Sequence, residues 1–509
     1  MFRLRWATAV WAIVFVFAIT VPIWPCQTPA HTGTIPAAER LLAVISDLHM
    51  GLGANAGGEW NPTEDFRWTG ALKGFLDYVS RESGNRADLV IAGDLLDLWQ
   101  PPADVKCAGD GADAGCTIAE LKQIVRRVIS AHSGDFAALV AFSQRGENRI
   151  HILPGNHDAA LLIPEIWELV GNALASGSGR IAFVKSGTWV STDARIVIEH
   201  GHQIGSDVNR YREWPKVTVR RNEQDYLIRP WGELFLQNLF NTEEREYPII
   251  DNLSPETVGA RYRMADRGLW KSARDVARFV AFNLFETSMT QKEASLGKEN
   301  GEEPAREACS KDLAHRLFIE ALPPDDPFRI QAEGKSPEAQ ELRDMLDTLA
   351  KDLPEEDVAQ ICAQRTAANE LGAALATFEA MFVPRAKVLY KPVADRLTAY
   401  PKMELFVYGH THQLEEPWSL KIEDKSTITV LNSGAFQRLV DKPGFLQRSE
   451  SFASPQEGLR KISLEALAPC YSVVLVRYKD GLPNAETSLW HMPEDGIGQI
   501  RSPGTTPCK

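Results

Sequence analysis

Five polar clusters, each placed directly after a short apolar run, constrain this chain more than any other feature. The runs are Leu41 to Ile45, Asp88 to Ala92, Arg149 to Leu153, Arg195 to Ile198 and Glu404 to Tyr408. They are short and rich in Val, Ile and Leu, as buried strands are. The clusters that follow them are Asp47-Leu-His49, Gly93-Asp-Leu-Leu-Asp97, Gly155-Asn-His-Asp158, Glu199-His-Gly-His202 and Gly409-His-Thr-His412. Helix-like patterns at Glu120 to Ile129 and Phe136 to Phe142 lie between runs, so an α/β layered core is expected. Thr427 to Leu431 and Ser472 to Val476 add strands near the C-terminus. Ligands in α/β sheets bind outside the carboxyl ends of strands, so clusters in these positions converge.

Together the clusters offer carboxylate oxygens, an amide oxygen and imidazoles, with no thiolate. That donor set suits one or more divalent cations such as Mn²⁺, Fe²⁺ or Zn²⁺. Two adjacent cations need a shared ligand, and the two oxygens of Asp94 make it the natural candidate. One cluster alone is weak evidence, because DxH triplets and GxH turns arise by chance. All five in order are specific, and they take up six of the eleven histidines.

In these residues the chain resembles the calcineurin-like metallophosphoesterase family. The DLH, GDLLD, GNHD, HGH and GHTH runs match that family's motif series over Leu41 to His202 and Glu404 to Val476. The resemblance implies an α/β fold: a double β-sheet sandwich flanked by helices, with a two-metal centre between strand ends. It implies that Asp47, His49, Asp94 and His412 hold one ion, and Asp94, Asn156, His200 and His410 a second. The implied reaction is hydrolysis of a phosphate ester or pyrophosphate bond, by a metal-bridged hydroxide that attacks phosphorus in line. His157 corresponds to the family's catalytic histidine, which assists the leaving oxygen. Asp97, the second aspartate of GDxxD, would orient that histidine, and Asp158 is a weaker candidate for the same role. Purple acid phosphatases of the superfamily carry tyrosine as GDxxY. Asp97 stands there instead, so no Fe(III)–tyrosinate centre is expected.

Three further residues are candidate substrate contacts. His202 lies two positions beyond His200, so both could face one side of a strand end. Arg210 and Arg212 follow, and arginine suits phosphate through bidentate geometry. For each, the bland alternative is a loop residue bonded locally or solvated. Arg438, soon after Asn432-Ser-Gly434, is weaker again.

The texture changes between about residues 211 and 384, which read as a large, mostly helical insertion. Ser254-Pro255 and Ser336-Pro337 look like N-cap serines with proline at the first helical position. Leu269, Ala273, Val276, Val280 and Leu284 fall on one helical face, as do Leu371, Leu375, Phe378 and Phe382. The catalytic domain would then comprise 40–210 and 385–500, with 211–384 forming a cap over the centre. Trp231, Phe235 and Leu239, with Trp214, Phe240 and Trp270, supply aromatic surface that could hold an acyl group or form the cap's own core.

Arg3 and Arg5 precede an uncharged apolar run from Trp6 to Trp24, the pattern of an export signal. Residues 1–30 read as a signal cleaved after Ala30 or as an uncleaved membrane anchor over residues 6–24, the body lying outside by the positive-inside rule. Either way the protein is expected to be exported, to the periplasm or extracellular space. Beyond Cys26, six cysteines remain and allow 15 pairings. Cys107–Cys116, Cys309–Cys362 and Cys470–Cys508 pair by neighbourhood, with free thiols as the alternative.

The net charge of −13 disfavours nucleic acid as a partner, because nucleic-acid binders carry a basic footprint. A membrane enters only through the N-terminal segment or a lipid-linked substrate. The expected function is a metal-dependent phosphoesterase acting on a small-molecule or lipid-linked phosphate ester. A phosphodiesterase or nuclease is the alternative within the enzyme class, and a non-catalytic scaffold of the same fold lies outside it.

Overall fold

Every residue of the first strand, β1 (Leu41–Ile45), is buried, and its side chains alternate between two separate cores. The computed structural model describes residues 40–107, 109, 113–205, 209–237, 244–254, 262, 333–335, 340, 385–422, 426–494 and 496–508. Those residues all belong to one compact unit, Ala37–Lys509.

After β1 come α1 (Thr69–Glu82), β2 (Ala87–Ala92), β3 (Ala114–Thr117), α2 (Ile118–Ala131), α3 (Ser133–Ser143) and β4 (Arg149–Leu153). Then follow α4 (Pro164–Ala173), β5 (Ile181–Phe183), β6 (Thr188–Val190), β7 (Ile196–Glu199), β8 (Thr218–Arg221) and β9 (Gln224–Ile228). The described chain continues with α5 (Trp231–Phe235), β10 (Leu253–Ser254), α6 (Arg385–Ala399), β11 (Leu405–Tyr408), β12 (Trp418–Ile422) and β13 (Ser426–Asn432). It ends with β14 (Val440–Asp441), α7 (Lys442–Ser449), α8 (Pro455–Lys461), β15 (Cys470–Lys479), β16 (Leu482–His491) and β17 (Gln499–Arg501).

Two mixed sheets dominate. One has the order β17-β16-β15-β1-β2-β4-β5, the other β12-β13-β11-β7-β6. The period-2 alternation of each central strand decides which sheet face meets which layer. Leu42 and Val44 of β1, Val90 of β2, Ile196 and Ile198 of β7, and Leu405 and Val407 of β11 form the core between the sheets. The intervening residues Leu41, Ala43 and Ile45 face a larger core that also takes in Leu72 and Phe75 of α1 and Ile124 and Val128 of α2. On the far side, Val197 and Phe406 pack against Leu389 and Val393 of α6. A double-sheet sandwich with helices outside is thus dictated by alternation in strands buried on both faces.

β1, β2 and β4 run parallel to one another, as do β7, β11 and β13. Within each set the carboxyl ends therefore share one edge. Local chemistry fixes several helix starts. Thr117 and Glu120 form a reciprocal capping box on α2, and Pro164 opens α4.

The segment beginning at residue 211 opens with β8 and β9, a hairpin that pairs with β3, rather than with a helix. Ser254 ends β10, where the ladder to β14 pairs it with Asp441, and the helix expected from Pro255 onward lies outside the described residues. The periodic stretches at 269–284 and 371–382, the Ser336-Pro337 pair, the side chain of Phe235, and Leu239, Phe240 and Trp270 lie outside the described residues. So do residues 1–39, including the apolar run 6–24. Among the described residues, no helix is long and apolar enough to cross a membrane. Cys107–Cys116 and Cys470–Cys508 are disulfide-bonded, and Cys309 and Cys362 lie outside the described residues.

Candidate metal centre

The loops beyond β1 and β2 are zipped together through their backbones. Asp47 donates its N–H to Gly93, Leu48 and His49 to Asp94, and Met50 to Leu95. In the second sheet Gly409 N–H bonds to the His200 carbonyl, and Phe436 N–H reaches Ser46 across to β1. This dense pairing holds Asp47, His49, Asp94, His410 and His412 at φ between 50° and 73°, the left-handed region. Each such non-glycine residue costs about 1 kcal/mol or more and persists only where its surroundings over-determine it. Two glycines allow the close approach. A Cβ on Gly93 would come 2.5 Å from the His200 ring, and one on Gly155 would come 2.2 Å from Asp94 Oδ1.

These loops gather the donors. His200 Nε2 lies 3.0 Å from Asp94 Oδ2, 3.0 Å from Asn156 Oδ1 and 4.0 Å from Asp47 Oδ1. His49 Nε2 lies 3.8 Å from Asp94 Oδ2 and 3.9 Å from Asp47 Oδ1. His412 Nε2 is 3.5 Å from Asp47 Oδ1 and 3.2 Å from His49 Nε2. Among the described residues, three overlapping groups have ligand atoms within 4.8 Å of one another: Asp47, His49 and His412; His49, Asp94 and His157; and Asp94, His200 and His410. The structure therefore brings all seven sequence-derived ligand candidates together, with Asp94 shared between two of those groups.

The donor set fits a cation. His200 Nδ1 donates to the Ala92 carbonyl at 2.8 Å, which turns Nε2 toward the carboxylates. Among the described residues, buried Asp47 Oδ1 meets no donor at hydrogen-bonding geometry, and Asn156 Nδ2 is likewise unpaired. His49 Nε2 and His412 Nε2 face each other. Burial alone would raise the Asp47 carboxyl, but His200 and His412 outweigh it and hold it at about 2. Burial also opposes charge on His200, yet Asp94 and Asp47 raise that ring to about 9. By contrast, burial and then the neighbouring His157 bring His49 down to about 3, and burial with His200 brings His410 to about 3. The ionised Asp47 beside the neutral His49 and His410 rings is what a divalent ion requires, and an ion held at Asp94 and Asp47 would take the place of the proton on His200.

His157 stands at the edge of this set. Its Nδ1 bonds Asp97 Oδ1 at 3.0 Å, its backbone N–H donates to Asp94 Oδ1 at 2.8 Å, and its ring stacks on Trp99. Burial opposes charge on this ring too, but Asp97 and Asp94 overcome it and raise its pKa. Asp158 does not touch the ring. Its carboxylate accepts from Gly155 N at 2.7 Å and from Leu95 N and Leu96 N at 2.9 and 3.3 Å.

The three candidate substrate contacts are placed differently. His202 is buried, edge-on to Trp214 at 4.6 Å, and burial followed by His200 and His410 drives its pKa well below the ordinary value. Arg210 donates to the Gly205 carbonyl at 3.0 Å and is half-buried, while Arg212 is exposed. Arg438 is buried with its guanidinium 3.6 Å from the Trp68 ring, donating to Tyr471 Oη and the carbonyls of Glu465 and Leu467.

Several supporting residues escaped the sequence pattern. Asn432 Nδ2 donates to Gly409 O at 3.2 Å and to Thr411 Oγ1 at 2.8 Å, holding the last histidine loop. It is the last residue of a strand, β13, so its place at a strand's carboxyl end was an available signal. Glu64 accepts from the amides of Gly51, Gly53 and Phe66 and so braces the first loop. Asn209 Nδ2 lies 3.4 Å from His410 Nε2. No periodicity marks Glu64, Asn209 or Trp99.

The family model described as calcineurin-like phosphoesterase matches residues 41–283. The match takes in Asp47 through His202 and stops before His410 and His412, which the second sheet carries to the same place. No curated protein matches the chain.

Proposed function

Because the chain carries a calcineurin-like phosphoesterase domain, in a family of metal-dependent phosphoester hydrolases, we propose that it cleaves a phosphate ester or pyrophosphate bond at a two-cation centre. The observation that carries this is the buried donor set itself, in which paired carboxylates and imidazole nitrogens converge, with Asp47 Oδ1 left unsatisfied among the described residues. Asp47, His49, Asp94 and His412 would hold one ion, and Asp94, Asn156, His200 and His410 the other. Bound Mn²⁺, Fe²⁺ or Zn²⁺ would supply Lewis-acid polarisation of the phosphoryl oxygens and acidify an attacking water.

The chain's own residues do the rest. His157 presents Nε2 to the leaving oxygen while Asp97 holds Nδ1, which fixes the tautomer and favours the protonated ring that a general acid needs. Asp94 aligns the backbone of His157 through its Oδ1 and so ties the acid to the cation site. The substrate would be small or lipid-linked, with residues 211–384 as a cap that selects it. The two disulfides accord with an oxidising, exported setting.

A hydrolysis panel tests the proposal. p-Nitrophenyl phosphate, its bis-ester, a nucleoside diphosphate sugar and a phospholipid are each assayed with Mn²⁺ and after chelation. Turnover that chelation removes and metal restores is expected, and the preferred ester names the substrate class. Turnover indifferent to chelation would overturn the cation centre.

A further inference from the structure

Three consecutive residues beyond β2 hold three different parts of residue 157. Asp97 Oδ1 accepts from Nδ1 of the imidazole, Leu98 N–H donates to the His157 carbonyl at 3.3 Å, and the Trp99 indole lies against the ring face. The stack has a centroid separation of 4.0 Å and an interplanar angle of 25°. His49 meets the same ring as a T-shaped neighbour at 4.4 Å and 84°. A single hydrogen bond fixes the direction of one ring nitrogen but leaves the plane free to swing about that bond. A flat partner on the face removes the swing.

Trp99 is itself held rigidly. Its backbone N–H donates to Asp97 Oδ1 at 3.0 Å, an Asx-turn, so one turn sets both the carboxylate and the residue that carries the indole. Its carbonyl accepts from Gln237 Nε2 at 2.9 Å, and the side chain is 2% exposed.

We propose that Trp99 is a positioning residue for His157, fixing the plane of the imidazole so that Nε2 meets the leaving oxygen. This rests on the assignment of His157 as the group that assists departure. A residue acting through His157 matters most where the leaving group is poor, because good leaving groups need little proton assistance. A merely structural role would slow all esters alike.

The test is a series of substituted phenyl phosphate esters, of whichever mono- or diester class the metal-loaded protein hydrolyses, spanning good to poor leaving groups. Trp99→Met keeps apolar volume without a π face, Trp99→Phe keeps a face, and His157→Asn removes the acid. For Trp99→Met we expect kcat/KM to fall roughly tenfold on the poorest leaving group and about twofold or less on the best. The dependence on leaving-group pKa steepens, Trp99→Phe recovers most of the loss, and bound metal is unchanged. His157→Asn should steepen the same dependence further and leave Trp99→Met nothing to add in the double variant. If His157→Asn steepens it and Trp99→Met does not, or slows all esters equally, the Trp99 inference fails while the role of His157 stands. If His157→Asn itself produces no steepening, both fail. Should Trp99→Met not fold, Gln237→Ala frees the Trp99 carbonyl and should give a smaller change in the same direction, and equal slowing of every ester overturns the inference.

Discussion

At the scale of single residues, two buried aspartates flank His157 and their hydrogen bonds divide their tasks. Asp97 contacts the imidazole, whereas Asp158 spends its carboxylate on three backbone amides. Asp97→Asn should therefore lower kcat by roughly tenfold to a hundredfold with little change in KM, read by steady-state kinetics. Asp158→Ala should instead lower stability by about 2 kcal/mol, because it strands buried amides, and a shifted denaturation midpoint would report it. The ligand candidates were legible in the sequence because each is a polar residue breaking an apolar run at its carboxyl end. The choice of Asp97 over Asp158 came from the GDxxD resemblance alone, since motif spacing says nothing about which carboxylate the backbone consumes. Trp99 was hidden for a different reason, as a large aromatic in a loop reads as ordinary core.

At the scale of elements, the strands that carry ligands were legible because they are buried on both faces and so contain almost nothing polar. The β8–β9 hairpin was not, because Arg220, Arg221, Gln224 and Asp225 leave it half-exposed and its turn uses Asn222-Glu223, both at positive φ, rather than a glycine. A second element-level device lies at the junction of α2 and α3. There His132 pairs with Asp135 at 3.0 Å and Glu64 at 3.3 Å, and Glu64 braces the loop that carries Asp47 and His49. Burial works against the charge on His132, but Asp135 and Glu64 overcome it and raise its pKa to about 9. A raised histidine stabilises the fold fully below its unfolded value of about 6.5 and loses that contribution as pH climbs through the folded value. The melting temperature should thus decline between about pH 6.5 and pH 9, by an amount equivalent to roughly 3 kcal/mol. His132→Gln should flatten that decline, and an unchanged pH profile in the variant would remove the assignment.

At the scale of the whole molecule, the sandwich brings its two halves of chemistry from distant stretches of chain. Asp47 to Asn156 come from one sheet, and His200, His410 and His412 from the other, so the centre exists only when both sheets are docked. The order of the motifs made that docking legible, while the 211–384 segment stayed opaque because its amphipathic stretches do not say what they pack against. Cys470–Cys508 closes a separation of 38 residues and fastens the C-terminal end to β15. Reducing it should cost about 2–4 kcal/mol, measurable as a lower denaturant midpoint under dithiothreitol. On the proposed function, a dinuclear cation centre bridged by Asp94 would drive phosphoester hydrolysis. Its most direct measurement is metal content and turnover followed together, as the protein is stripped with chelator and then titrated with Mn²⁺. The expected result is two ions per chain, activity that rises with occupancy, and an Asp94→Asn protein that is folded but poor in metal and inactive. Folded wild-type protein that binds no ion, or that turns over equally well without one, would contradict it.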